Sequence, residues 1–289
     1  MVAETRWWGD FTVPKDRTVL WQIGPTTLWI HHGPRDWRIA TVRGDDPFDS
    51  RLCIAQPTDE MGDPDLSVAR YALRDEDDTV RLSPLHADRP VVVSAQKPFY
   101  LPAGEEATLY IGTPLWVRIQ AGRRQVTLTE FPLFRPSDTW FGPNTLTGEL
   151  CYASRTTARL QLENLPLRPH RAVSAARIRN RAPTSLLLEK LKLPVKHLSL
   201  FCSDAGHLWT DSLTLERHED SEHATVRLDG KPTRVVGRTT FVGPPREKIS
   251  KGFLLETFGG FFAKKPEKKD ERVPAKAPAP GDSDSGVDV

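Results

Sequence analysis

The chain has 289 residues, of which 38% are hydrophobic and 27% charged, and its formal net charge is +2. This balance excludes a wholly disordered chain, and so small a net charge gives no support to specific nucleic-acid binding through bulk electrostatics. No stretch approaches 18 apolar residues and the opening MVAETRWWGD lacks the apolar core of a signal peptide, which predicts a cytoplasmic protein without a spanning helix. The three cysteines, Cys53, Cys151 and Cys202, are far apart and form no CxxC pair, which predicts free thiols and no structural metal.

Residues 17–43, RTVLWQIGPTTLWIHHGPRDWRIATVR, break at Gly24-Pro25 and Gly33-Pro34. The segments between are rich in Trp, Ile, Val and Thr and predict a three-stranded meander. Five of the eight tryptophans (Trp7, Trp8, Trp21, Trp29, Trp37) lie within these first 43 residues, where they fill a core or, on a second reading, form an aromatic ligand platform. His31 and His32 point to opposite faces of a strand and are expected as a surface pair at a turn, unable to share one metal. Acid-rich loops then flank a short strand at Leu52–Ala55. After the run Val91–Val93, the last strand of this half alternates Leu115, Val117, Ile119 against Trp116, Arg118, Gln120, the mark of a half-buried antiparallel strand. Short strands separated by turn signals follow the grammar of an immunoglobulin-like sandwich.

Arg135 to Leu162, RPSDTWFGPNTLTGELCYASRTTARLQL, is the densest stretch in side-chain chemistry. Ser137 and Asp138 suit a turn or a helix start, Gly142-Pro143-Asn144 a turn, and a strand is expected from Leu150 through Leu162, with Arg155 and Arg159 on its outer side. AVSAARIRNRA puts Arg177, Arg179 and Arg181 on one face of a second strand. Between Arg155 and Arg181 there are seven arginines and one acid, Glu163. If the two strands pair, several guanidiniums share one sheet face suited to phosphate or carboxylate; the alternative is a solvated face paired with acid-rich loops. The candidate binding residues are thus Asp138, Trp140, Glu149, Arg155, Arg159, Arg177 and Arg179. Ser137, Asp138 and Glu149 form an acid-base site only if the fold gathers them; otherwise Asp138 caps backbone amides and Glu149 pairs with an arginine.

SDTWFGPNTLTGELCYASRTTARL, preceded by ADRPVVV and LPAGEEATLYIGTPLWVRI and followed by IRNRAPTSLLLEKLKLPV and LWTDSLTLER, resembles a family of bacterial and archaeal proteins of unknown function over about residues 6–262. The resemblance implies one family unit and brings with it no catalytic residue, cofactor or substrate. It also carries an association with small-conductance mechanosensitive channels, which makes a regulatory partner of such a channel one expected role.

Downstream, residues 184–202 predict two strands flanking Pro194, SDAGH a turn, LWTDSLTLER one strand, residues 219–223 a polar turn, and ATVRLDG and PTRVVGRTTFV two more strands. GFLLETFGGFF suggests a short docked helix, and residues 263–289 a disordered tail rich in Lys, Pro and acids. Cys202, Ser203, Asp204 and His207 crowd one hairpin turn, where side chains splay into water and do not build a catalytic triad. His218, Glu219, Asp220, Glu222 and His223 match no zinc spacing. The expectation is an all-β protein of two tandem antiparallel sandwich units, 1–134 and 135–262, with the tail beyond. Its expected role is a non-catalytic binding or accessory protein without a cofactor, whose partner is another protein, an anionic ligand or a membrane surface. A hydrolase built on Ser137–Glu149 is the alternative from another class.

Overall fold

A computed structural model describes residues 6–62, 67–74, 77–142, 148–218 and 224–248, and the backbone of 255–257. The described chain is all-β, and its helical elements are three single 3₁₀ turns. The first sheet is the meander read from the sequence: β2 (Arg17–Ile23), β3 (Thr26–His32) and β4 (Asp36–Arg43), flanked by β5 (Leu52–Thr58) and β6 (Val68–Ala72) in the order β5-β2-β3-β4-β6. The β2–β3 loop is only Gly24-Pro25, and Gly24 takes the positive φ of 56° that so tight a hairpin requires. β3 alternates buried and half-buried residues along its whole length.

A second sheet orders β11 (Ser137–Phe141), β12 (Glu149–Ala153), β8 (Val91–Leu101) and β14 (Leu186–Leu193). The largest sheet runs β1 (Gly9–Thr12), β7 (Thr79–His86), β9 (Glu106–Ala121), β13 (Arg171–Asn180), β16 (Leu208–Thr210), β15 (Leu200–Ser203) and β19 (Thr239–Gly243). β10 (Val126–Pro132) adds to β9; β17 (Leu213–Arg217) adds to β13, followed by β18 (Ala224–Leu228) and β20 (Leu255–Thr257). Pairing is mixed: β12 runs parallel to β8, and β13 parallel to both β16 and β17, where antiparallel neighbours alone were expected.

Two hydrophobic cores lie against the large sheet. One packs Val91, Val93, Leu188 and Leu193 of the four-stranded sheet onto Leu109, Ile111, Ile178 and Leu215. The other packs Trp21, Ile23, Leu28 and Trp37 of the meander sheet onto Leu82, Leu115, Val117 and Ile119. The 16-residue strand β9 serves both, with Leu109, Ile111 and Trp116 in the first and Leu115, Val117, Ile119 and Ala121 in the second. Each core takes residues from both sides of position 134, where a division was expected.

The tryptophan core reading holds for Trp7, Trp21 and Trp37, which are fully buried or nearly so. His31 and His32 do face opposite sides, but His32 is no surface residue. It is buried, with its ring stacked on Trp37 at 4.1 Å. LWTDSLTLER is two strands, since Asp211-Ser212 interrupts it, which explains its imperfect alternation. Residues 255–257 pair with β18 as a strand where a helix was expected. The remainder of that expected helix, Pro143 and Asn144 of the expected turn, Glu219, Asp220, Glu222 and His223, and the tail 263–289 lie outside the described residues. Among the described residues no helix is long and apolar enough to cross a membrane.

Candidate functional site

Ser137 and Asp138 open no helix; they begin β11, whose ladder with β12 sets Ser137 against Ala153, Asp138 against Tyr152 and Phe141 against Glu149. Asp138 and Glu149 are therefore three ladder positions apart, about 10 Å along the strands, and on opposite faces. Asp138 accepts ion-pair contacts from Arg89 and Arg135, each at 3.2 Å. Glu149 meets Nζ of Lys192 at 2.8 Å, a lysine otherwise buried with its ammonium 5.5 Å from the Phe141 ring centre. The indole of Trp140 lies over Gly148, so close that an added Cβ would sit 2.3 Å from Nε1. The hairpin thus keeps its charges in internal pairs, and its Ser, Asp and Glu do not converge on one point.

The arginines divide similarly. The regular strand expected through Leu162 stops at Ala153, and 154–160 crosses from β8, which Ala158 still bridges at Ala95, to the large sheet. There the backbones of Arg159 and Tyr110 exchange hydrogen bonds of 2.7 and 2.9 Å. Arg155 stacks on Phe134 at 5.6 Å. The expected pairing of the two arginine strands does not form, because β13 finds its partners in β9, β16 and β17. Tyr110 nevertheless pairs with both Arg159 and Ala175, which puts Arg159 on the same side of the large sheet as Ala175 and Arg177.

β13 does present Arg171, Val173, Ala175, Arg177 and Arg179 to one side, while Ala176 and Ile178 enter the core. Along that outer side the covering changes. Over Arg171 lies the 154–160 crossing, and the buried guanidinium donates Nη1 to the Gly112 carbonyl at 3.1 Å and to Thr156 Oγ1 at 3.2 Å. Over Val173 lie Leu165 and Trp209. Beyond them the face opens into a groove of about 520 Å³, floored by Thr108, Tyr110, Ala175 and Arg177 and walled by residues 229–235. Arg179 and Arg181, further on, close ion pairs with Glu106 and Glu216, both at 3.0 Å.

The groove wall is built by backbone. Ser212 donates to the Lys231 carbonyl and Asp229 donates to the Ser212 carbonyl, each at 2.9 Å. A 3₁₀ turn at Arg234–Val236 ends at Gly237, with φ of 77°. This places Lys231 and Arg234 beside Arg177 with Asp229 the one carboxylate lining the groove. Among the described residues, none of these three cations makes an ion pair, in contrast to the arginines that follow on β13. Ser212 Oγ is buried at the groove wall with no hydrogen-bond partner.

Of the residues singled out in sequence, only Arg177 lines this groove. Tyr110, Asp229, Lys231 and Arg234 were not anticipated. The signal in KPTR is a short basic turn, and only the β13-β17-β18 connectivity carries it back to Arg177. A Cys202-Ser203-Asp204-His207 triad does not form: Ser203 Oγ binds backbone atoms of His207, within the hairpin turn. No group of three or more potential metal ligands occurs among the described residues.

A family model described as a protein of unknown function, DUF432, matches residues 7–263. The chain belongs to the DUF432 family. No curated protein and no solved structure matches the chain. A DUF432 assignment names no activity, so the reading of this member's chemistry stands on the groove and the hairpin alone.

Proposed function

We propose that this DUF432 protein is a non-catalytic binding module that holds an anionic partner in the groove around Arg177. The observation that carries this is the contrast on one strand face. Arg179 and Arg181 are neutralised by carboxylates of neighbouring strands, whereas Arg177, Lys231 and Arg234 converge with no ion pair among the described residues. Like charges held together without counter-charge repel, and a bound anion removes that repulsion. The carboxylates of the β11–β12 hairpin, facing opposite ways in ion pairs, support binding over hydrolysis. We read the body as two sandwich-like, immunoglobulin-type layers sharing the large sheet, acting in the cytoplasm, where its free thiols stay reduced.

The test is a salt titration of binding to a polyanion such as heparin. Contacts of three cations predict a steep loss of affinity with salt, and Arg177→Glu combined with Arg234→Glu is expected to abolish binding while leaving the melting temperature unchanged. Binding indifferent to both salt and the double substitution removes the reading.

A further inference from the structure

The groove holds more than cations, and the additional groups narrow the ligand. It is concave and bounded, with about 520 Å³ of space, within the range of small-molecule sites. Asp229 sits among the cations. A carboxylate there opposes a continuous polyanion, yet it accepts hydrogen bonds from hydroxyl groups. Ser212 supplies a buried hydroxyl without a partner, a group whose isolation is unfavourable until something binds it. Tyr110 packs one side of its ring against the Leu165, Val173 and Trp209 cluster and lines the groove. In the ladder Tyr110 faces Ala175 and Thr108 faces Arg177, so Tyr110 and Arg177 are diagonal neighbours about 7 Å apart. That separation suits a ligand with its anionic group on the guanidinium, its hydroxyl-bearing middle beside Asp229 and a flat or apolar end on the phenol ring.

Resting on the anion-binding reading above, we propose that the groove is a site for a small phosphomonoester of a hydroxylated carbon skeleton, either a nucleoside monophosphate or a sugar phosphate. Arg177 takes the phosphate through two parallel N–H donors, with Arg234 and Lys231 supplying further charge. Asp229 accepts from the vicinal hydroxyls. The two sources differ at Tyr110, where a nucleobase stacks and a free sugar phosphate leaves the ring unused.

The test is calorimetric titration of the full chain with AMP, ribose 5-phosphate, adenosine and inorganic phosphate, with heparin as the long polyanion. AMP or ribose 5-phosphate is expected to bind about tenfold or more tightly than adenosine or inorganic phosphate. Arg177→Gln should lower that affinity about tenfold, and Arg179→Gln, at an arginine already held by Glu106, should leave it unchanged. Asp229→Asn should weaken the two hydroxylated ligands and leave inorganic phosphate unchanged or slightly stronger. Preference for AMP that disappears in Tyr110→Leu assigns the nucleotide; equal binding of both assigns the sugar phosphate. Heparin binding that depends on Arg177, with no binding of either phosphomonoester, overturns this inference and leaves the parent reading standing. No binding of any anion overturns both, and AMP binding untouched by Arg177→Gln places the site elsewhere.

Discussion

Arg171 and Arg177 stand six residues apart on one side of β13, and neither meets a carboxylate among the described residues. At the covered end of the strand, burial penalises the charged form and Arg168 repels it, so the Arg171 guanidinium is pushed down to about 10. Carbonyl and hydroxyl oxygens cap it. At the open end Arg177 is exposed at the floor of the groove. The same lack of counter-charge therefore has two consequences. Inside, the protein weakens proton affinity and gives Nη1 two neutral acceptors while Nε has none; outside, it leaves an attractive field.

The sharpest test of the covered region is acid. His170, beside Arg171, is fully buried and its pKa is lowered to about 3 by burial first and by Arg171 second. His86 on β7 is buried in the same way and is lowered to about 3, chiefly by burial. A histidine whose folded pKa lies below its unfolded value is protonated first in the unfolded chain. The stability it contributes is complete above about pH 6.5 and is lost as pH falls toward 3. The loss is about 1.4 kcal/mol per pH unit for each histidine. Urea midpoints are expected to fall markedly between about pH 7 and about pH 5, before most carboxylates titrate. A flat profile over that interval would remove the claim that these rings are held neutral.

The next effect in size concerns how His170 is held. Its Nε2 lies 3.2 Å from the Pro47 carbonyl, and its ring presses on Gly24, where an added Cβ would come 2.1 Å from Nδ1. Gly24 also has the positive φ that a side chain resists. Gly24→Ala is expected to destabilise by roughly 2–4 kcal/mol, since backbone strain and overpacking add. Gly104 has a similar φ of 78° but open space around it, so Gly104→Ala should lose only about 1 kcal/mol. Equal midpoint shifts for the two would show that the contact with His170 contributes nothing.

Much of the fold was legible because side-chain alternation and Gly-Pro breaks are local. The meander 17–43 has its strands where Gly24-Pro25 and Gly33-Pro34 divide them, and the β9 alternation of Leu115, Val117 and Ile119 places all three in a core. What was not legible is non-local. Nothing in ELCYASRTTARLQL shows that the chain passes from β8, which Ala158 still bridges, to the large sheet at Arg159, where Tyr110 exchanges backbone hydrogen bonds with it. The inner-outer parity of β13 was readable, but not which of its arginines would find acids. Glu106 and Glu216 come from β9 and β17, distant in sequence. Lys231 and Arg234 lie about as far away and reach Arg177 only through parallel pairing of β17 with β13. The central hairpin looked functional because it is dense in chemistry, yet dense sequence neighbours on a strand face alternate sides.

The smallest expected effect separates the two arginines most directly. Arg171→Met replaces a buried cation without an acid partner by an apolar chain of similar length. The groups it leaves behind are already satisfied, because Thr156 Oγ1 donates to the Gly112 carbonyl at 3.0 Å. Removing an unpaired buried charge also removes its desolvation penalty. The net change in unfolding free energy is therefore expected to lie within about 1 kcal/mol of zero, on either side. Arg177→Met, at an exposed position, should change stability by no more than about 0.5 kcal/mol, while losing the anion binding that Arg171→Met retains. A loss near 3 kcal/mol in Arg171→Met would mean that the buried guanidinium is a net stabilising brace between β13, β9 and the 154–160 crossing. The absence of a carboxylate would then be a feature of that brace, and the contrast between the covered and open ends of the strand would rest on packing instead of charge.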